Sequence, residues 1–313
     1  MPRTILITGA SSGLGLALLT HYATHSPQTH IIAIDISPLP HAHLSSLRHP
    51  AFSNISFYLA DISSPTDLYR VSSNLETQGT TIDLLLHCAG VRGLVKRIAE
   101  QTRDVAASET WEVMERETFM KTMEVNTWGA FNVVKSFLPY LRGPGSIRTT
   151  TSETPSETST PKDTEGGRPG SSWSGGAFAA GASRSRRTSV PGSIAEPPAA
   201  PHSNPTITPS KPKVILMSSR MGSISDNRTG GGYAYRASKA ALNALIKSFA
   251  IDVPDATFLL LHPGRVETGL VGWREEGAMT VSEALPDVVR TIEAADEGWS
   301  GRLVDKTGKD IPW

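Results

Sequence analysis

Six short runs rich in Val, Ile and Leu recur along the chain: TILIT (4–8), HIIAID (30–35), ISFYLA (55–60), IDLLLH (82–87), KVILMSS (213–219) and TFLLLHP (257–263). Each is continuously apolar instead of alternating, which is how a strand reads when both of its faces are buried. Helix-length stretches lie among them, at 13–25, 65–78, 111–142 and 235–252. Strands that alternate with helices are joined by right-handed crossovers and form a parallel sheet. The expected fold is α/β, a doubly wound parallel sheet of about seven strands flanked by helices, with its ligand at the carboxyl ends of the strands.

One segment breaks the pattern. From 143 to 212, Gly, Pro, Ser and Thr make up 43 of 70 residues, with no apolar periodicity. Such a composition buries too little surface to offset its ordering entropy, so a disordered insert is expected within a single domain spanning 1–313. It joins a helix to a strand, hence at the sheet edge opposite the ligand. Within it, RSRRTS resembles a basophilic kinase site at Ser189, against the plainer reading of a solvated linker. Lys+Arg and Asp+Glu are 30 each, which gives no general attraction to nucleic acid or anionic membrane. Cys88 is the single cysteine, so no intrachain disulfide forms, as suits a reducing compartment. No apolar run reaches the ~18 residues of a membrane span. The first strand begins near Arg3, with no room before it for a signal peptide, and a cytoplasmic location is expected.

TGASSGLG, Thr8 to Gly15, follows the first strand and opens a helix. Its members Thr8, Gly9, Ser11, Ser12, Gly13, Leu14 and Gly15 form a candidate phosphate loop. Glycines let backbone N–H groups approach a pyrophosphate, and a helix amino terminus adds positive potential. Three residues separate the first two glycines, unlike G-x-G-x-x-G. Asp35 ends the second run, 20 residues after Gly15. A carboxylate there can accept bonds from two ribose hydroxyls and repels a 2′-phosphate. No Lys or Arg occupies 12 or 36, so NAD is favoured over NADP. The alternative is that Asp35 caps the turn that follows it.

YAYRASK (233–239) holds two tyrosines and a lysine. Residues i and i+4 share a helix face, which pairs Tyr235 with Lys239 and leaves Tyr233 with Ala237. A free phenol is a poor base, with a pKa of about 10. A neighbouring ammonium lowers that value, and the phenol can then move a proton to or from a carbonyl oxygen. A core tyrosine with a surface lysine one turn on fits the bare spacing equally well.

Further motifs extend the pattern: HCAG (87–90), EVNTWGAF around Asn126, SSRMGSI (218–224) and HPGRVET (262–268). Their order and spacing, with the insert removed, resemble the short-chain dehydrogenase/reductases. SSRMGSISDN, YAYRASKAALN and the ending SGRLVDKTGKDIPW are similar to sniffer-type carbonyl reductases and the C-factor-like group. The resemblance implies a Rossmann-like sheet and an NAD(P)-dependent oxidoreductase that interconverts a carbonyl and an alcohol. It implies Tyr235 as general acid/base. Lys239 would lower its pKa and hold the ribose of the nicotinamide. Ser219 would bond the substrate oxygen, while Ser218 points the other way. Asn126 would sit in a distorted helical turn and hold a water. Asp61 and Ile62 would meet the adenine, Ala89 and Gly90 the adenosine ribose. Pro263, Gly264, Val266 and Thr268 would frame the nicotinamide. The family's pairing of long helices implies a homodimer or homotetramer.

The chain departs from that family in two places. HCAG replaces Asn-Asn-Ala-Gly, and His87 and Cys88 read as structural because no second His/Cys cluster completes a metal site. The interval from Gly90 to Asn126 is lengthened around 94–108, read as a surface elaboration or a shaper of substrate entry. Leu270, Val271, Trp273 and Met279 are apolar candidates for the wall over the substrate, which suggests a small apolar carbonyl or alcohol. The rival reading is a non-catalytic dinucleotide-binding regulator on the same fold. It could dispense with Ser219, Tyr235 and Lys239, and all three are present.

Overall fold

The computed structural model describes residues 3–40, 54–141 and 211–313. These belong to one compact unit, and the insert with its Ser189 motif lies outside them. The described residues begin again slightly before the expected boundary: Lys211 pairs with Glu297 at 2.8 Å, and Pro212 accepts from the Thr257 amide at 2.9 Å.

Seven strands form one parallel sheet: β1 (Thr4–Thr8), β2 (His30–Asp35), β3 (Ile55–Leu59), β4 (Leu84–His87), β5 (Lys213–Met217), β6 (Thr257–His262) and β7 (Arg302–Asp305). Their order is β3-β2-β1-β4-β5-β6-β7. The helices are α1 (Gly13–His25), α2 (Pro65–Thr77), α3 (Lys96–Thr102), α4 (Arg116–Met123), α5 (Ala130–Phe137), α6 (Tyr233–Asp252) and α7 (Val281–Ala294). The chain builds outward from β1 to β3, then returns to β4 on the other side of β1. A crevice opens at the carboxyl ends where the order reverses, and ligands of such sheets bind there.

The doubly apolar strands serve two cores. Leu6, Ile32 and Ile34 face α2, α5 and α6 through Leu68, Val71, Val133, Phe137, Leu242 and Ile246. Ile5, Ile7, Ile31 and Ala33 face α1 and α7 through Leu18, Leu19, Val288 and Ile292. This two-residue alternation fixes register, since a slip by one residue exchanges the two cores. Ser64 starts α2, its Oγ accepting from the Asp67 amide at 3.2 Å with Pro65 next. Thr280 and Glu283 close a capping box on α7.

The expected helix 111–142 is divided. It starts at Arg116, widens into a π-turn at Glu124–Gly129, and ends at Phe137, before Pro139. The wide turn is the distortion anticipated at Asn126. Helix α6 begins at Tyr233, two residues before the expected start at 235. Among the described residues no helix is long and apolar enough to cross a membrane.

Candidate active site

The carboxyl ends of β1, β2, β4, β5 and β6 frame a cleft of about 860 Å³. The glycine loop forms one side and is strapped across the end of β2. Gly9 N–H donates to Ile34 O at 2.9 Å, and Ser11 N–H to Asp35 Oδ2 at 2.9 Å. Asp35 Oδ1 accepts from the Ser37 amide at 3.0 Å. Asp35 therefore organises both its own turn and the loop, and one lone pair on each oxygen remains for a ribose hydroxyl. A Cβ on Gly9 would meet Ala89 N at 2.6 Å, and one on Gly15 would meet Gly9 O at 2.0 Å. The backbone here is packed as closely as only glycine permits. The first N–H groups of α1 lack intrahelical partners, and the residues that carry them, Ser12 to Gly15, line the cleft. These donors and the Asp35 carboxylate fit a dinucleotide's pyrophosphate and ribose.

Ile62, Ala89, Gly90, Pro263, Gly264, Val266 and Thr268 also line the cleft. So does Asp61, whose Oδ1 accepts from the Ser63 amide at 2.8 Å; Ser64, not Asp61, caps α2. Leu270, Val271 and Trp273 reach the cleft. Met279 does not: its backbone bridges to Val266 and its methyl lies over Gly264. Thr8 stands behind the loop, fully buried, sharing a 2.8 Å hydrogen bond with His87 Nδ1. Burial pushes His87 down to about 3, so it is a neutral support of the central sheet. Cys88 is half-buried at the cleft, and burial pushes its thiol up to about 12.

At the end of β5 the paired serines separate as strand neighbours must. Ser218 turns inward, its Oγ donating to Asn243 Oδ1 at 2.7 Å. Ser219 lines the cleft with Tyr235 and accepts from the Met221 amide at 3.1 Å. Tyr235 and Lys239 lie one turn apart on α6, both buried and both at the cleft. Lys239 Nζ donates to Met217 O at 2.9 Å and stands 5.7 Å from the Tyr235 ring centre. Asn126 lies behind them, fully buried. Its Oδ1 accepts from Val91 N–H and its Nδ2 donates to Val91 O, each at 2.8 Å, and Nδ2 also reaches Ser238 Oγ at 3.0 Å.

The electrostatics differ from the sequence expectation. Burial pushes the Tyr235 phenol above its ordinary value, and the cation that opposes this is Arg92, not Lys239. The Arg92 guanidinium lies 4.6 Å from the ring centre. Glu109 holds it in a bidentate pair, at 3.0 and 2.7 Å. The interval 94–108, read as a surface elaboration or a shaper of substrate entry, is buried at Val95 and Ser108, and Glu109 just after it is buried too. A charged residue two positions after HCAG was the available signal for Arg92. Nothing in sequence spacing links it to Glu109, 17 residues on.

Burial pushes Lys239 down to about 8 from 10.5. Between these values the unfolded chain holds a proton that the folded chain has released. Stability from this group therefore rises with pH across the window and is lost as pH falls through about 8. Lys239→Met should remove that rise, on the order of 3 kcal/mol at most. Urea melts of both proteins across the window check it. Parallel pH curves would show that the ammonium is not desolvated.

A glycine-strapped crevice at the switch point of a doubly wound sheet, with a buried Tyr–Lys pair at its floor, defines a dinucleotide-binding α/β protein. The family model described as short chain dehydrogenase matches residues 3–160, half of the chain. The C-signal protein of Myxococcus xanthus is 38% identical over 103 residues, covering 32% of this chain and 61% of that protein. The match thus spans less than two thirds of that relative's length. The carbonyl reductase Sniffer of D. melanogaster superposes with a TM-score of 0.66 at 22% identity over 100% of both chains. The NADPH-bound carbonyl reductase from chicken fatty liver does so at 0.66 and 20%, over 100% of this chain and 99% of that one. At these identities the two structures show a shared fold. The chain belongs to the short-chain dehydrogenase family.

Proposed function

We propose that this protein is an NAD(P)-dependent oxidoreductase that interconverts a carbonyl and an alcohol. The observation that carries the reading is the convergence of Ser219, Tyr235 and Lys239 in one cleft with the glycine loop. A nicotinamide dinucleotide held along that loop supplies or accepts the hydride. Tyr235 gives the proton to the carbonyl oxygen in reduction and takes it from the alcohol in oxidation. Ser219 donates a hydrogen bond to the same oxygen and holds it against the phenol. Lys239 holds ribose hydroxyls and, through the Asn126 turn, connects the site to solvent. Leu270, Val271 and Trp273 favour a small apolar carbonyl or alcohol as substrate. A panel of aldehydes, ketones and alcohols, followed by reduced-cofactor absorbance with NAD and NADP in parallel, tests this. No turnover of any panel member by a folded protein that binds either cofactor would favour a binding module instead.

NAD is the proposed preference, supported by the Asp35 carboxylate at the cleft and by Ile36 and Ser37 beside it, neither of them cationic. The chicken carbonyl reductase holds NADPH, so the preference turns on Asp35 itself. Asp35→Ala should weaken NAD by about 1.5–3 kcal/mol, the range for hydrogen bonds to a charged group. NADP should lose less or gain, because a repulsive charge is removed. Calorimetric titration of both cofactors decides it. Tight NADP binding untouched by the substitution would overturn the preference.

A homo-oligomer is also proposed. Trp128, exposed, stacks on Phe131, which is tilted against Phe249, on the helices that flank one face of the sheet. Light scattering should find a multiple of 33.5 kDa; a monomer alone at working concentration overturns this.

A further inference from the structure

The group pressed against Tyr235 is not part of the motif that identifies the family. Arg92 follows β4, and its backbone is set by Asn126, which bonds both the N–H and the C=O of Val91. Its side chain lies across the Tyr235 ring, 4.6 Å from the centre, and is mostly buried. All three guanidinium nitrogens are engaged: two with Glu109, and Nη1 with Met221 Sδ at 3.0 Å. Glu109 is itself fixed. It is 8% exposed at the side chain, and its C=O accepts from Gly232 N–H, the cap of α6, at 3.1 Å. The pair therefore ties the segment after β4 and the turn at 107–109 to the first turn of the helix that carries Tyr235.

Such a pair costs desolvation, and replacing buried ion pairs by apolar residues is often neutral or stabilising. Stability alone therefore explains it poorly. Geometry gives it a second role. A guanidinium over an aromatic face fixes the ring and favours negative charge on it. The charged groups around Tyr235 are Arg92 and Glu109 from the segment after β4 and Lys239 and Arg236 from its own helix. Ser219 is the hydroxyl at its side. Lys239 donates to Met217 O. Arg236 donates to Gly231 O, Gly230 O and Thr229 Oγ1, away from the ring. Of the two cations over the ring, Arg92 at 4.6 Å is nearer than Lys239 Nζ at 5.7 Å.

We propose that Arg92, clamped by Glu109, is a positioning residue for Tyr235: it seats the ring beside Ser219 and holds a fixed positive charge that stabilises the phenolate. This rests on the reading of Tyr235 as the acid/base group. Burial raises the phenol and Arg92 opposes it, consistent with the geometry. An opposite charge within about 4–6 Å moves a pKa by roughly 1–3 units. Glu109 offsets part of this.

The test compares the parent with Arg92→Gln, Arg92→Lys and Tyr235→Phe, using an alcohol that the panel shows to be oxidised. In Arg92→Gln the rising limb of the kcat/KM–pH profile should move up by about one unit. The rate then falls about tenfold at neutral pH and recovers at high pH. Arg92→Lys keeps the charge and should restore at least half of the shift. In the protein alone, NMR of ring-labelled tyrosine, with Tyr235 assigned by Tyr235→Phe, should show its titration moved upward or out of the accessible range. A purely structural role predicts otherwise: looser packing admits water, moves the phenol downward and slows turnover equally at every pH. Inactive Tyr235→Phe together with an unshifted profile in Arg92→Gln, or a downward NMR titration, overturns the proposal alone. Normal turnover by Tyr235→Phe overturns the acid/base reading and the proposal with it.

Discussion

Tyr235→Phe should lower kcat by at least 100-fold while leaving cofactor affinity and the thermal midpoint near those of the parent. The substitution removes one oxygen from a ring that is 8% exposed, so the packing against Arg92 survives. What is lost is proton transfer, a contribution of roughly 10²–10⁴-fold. The burial that raises this phenol keeps it protonated, the form that reduces a carbonyl, over a wider pH range than the phenolate that oxidises an alcohol. Reduction should accordingly tolerate lower pH than oxidation. Tyr233→Phe supplies the control. Tyr233 opens α6, is 45% exposed, and is absent from the cleft wall. Its rate should stay within about twofold, as for a surface change away from the site. The measurement is steady-state kinetics on one substrate in both directions. Turnover of Tyr235→Phe within tenfold of the parent would remove it from the chemistry.

The fold was legible because doubly buried strands carry a signal that needs no context. TILIT and HIIAID are apolar on both faces, and the structure assigns their alternate residues to two separate cores. The Tyr235–Lys239 pair was legible because helical spacing alone puts both on one face. Strand alternation set Ser218 and Ser219 on opposite sides, and the resemblance named Ser219 as the one at the site. What escaped was long-range pairing. Arg92 and Glu109 meet only because Asn126 pins Val91 and the cap of α6 bonds Glu109, and no local period encodes such a contact. The division of the helix at 111–142 escaped for a related reason. Its composition suits a continuous helix, but bonds from Asn126 to Val91 accompany a wider turn. The direction of the Tyr235 shift was also missed. Spacing shows which charge is near, whereas burial is a property of the folded whole, and here burial is the larger effect.

Gly15→Ala should be the most damaging glycine-to-alanine change among the described residues. The added Cβ would stand 2.0 Å from Gly9 O and 2.8 Å from Gly9 C, both backbone atoms of the strand-to-helix loop. No rotamer relieves that contact, so α1 must move away from the loop or the loop must move into the cleft. Gly9 cannot yield toward β4, because it already approaches Ala89 N. Overpacking of this kind costs about 1–3 kcal/mol. The displacement also shifts the N–H groups proposed to hold pyrophosphate, so dinucleotide affinity should fall by more than tenfold. Gly79→Ala separates steric from conformational effects. Gly79 follows α2 at φ +60° with no atom within 4 Å of a built Cβ, so its cost is the left-handed backbone alone, about 1–2 kcal/mol. Both variants should melt earlier than the parent, but only Gly15→Ala should lose the rise in melting temperature on adding cofactor. Thermal scans with and without saturating NAD and NADP read both effects at once. An undiminished cofactor shift in Gly15→Ala would mean that the pyrophosphate does not sit on this loop, and the placement of the whole dinucleotide would have to be abandoned.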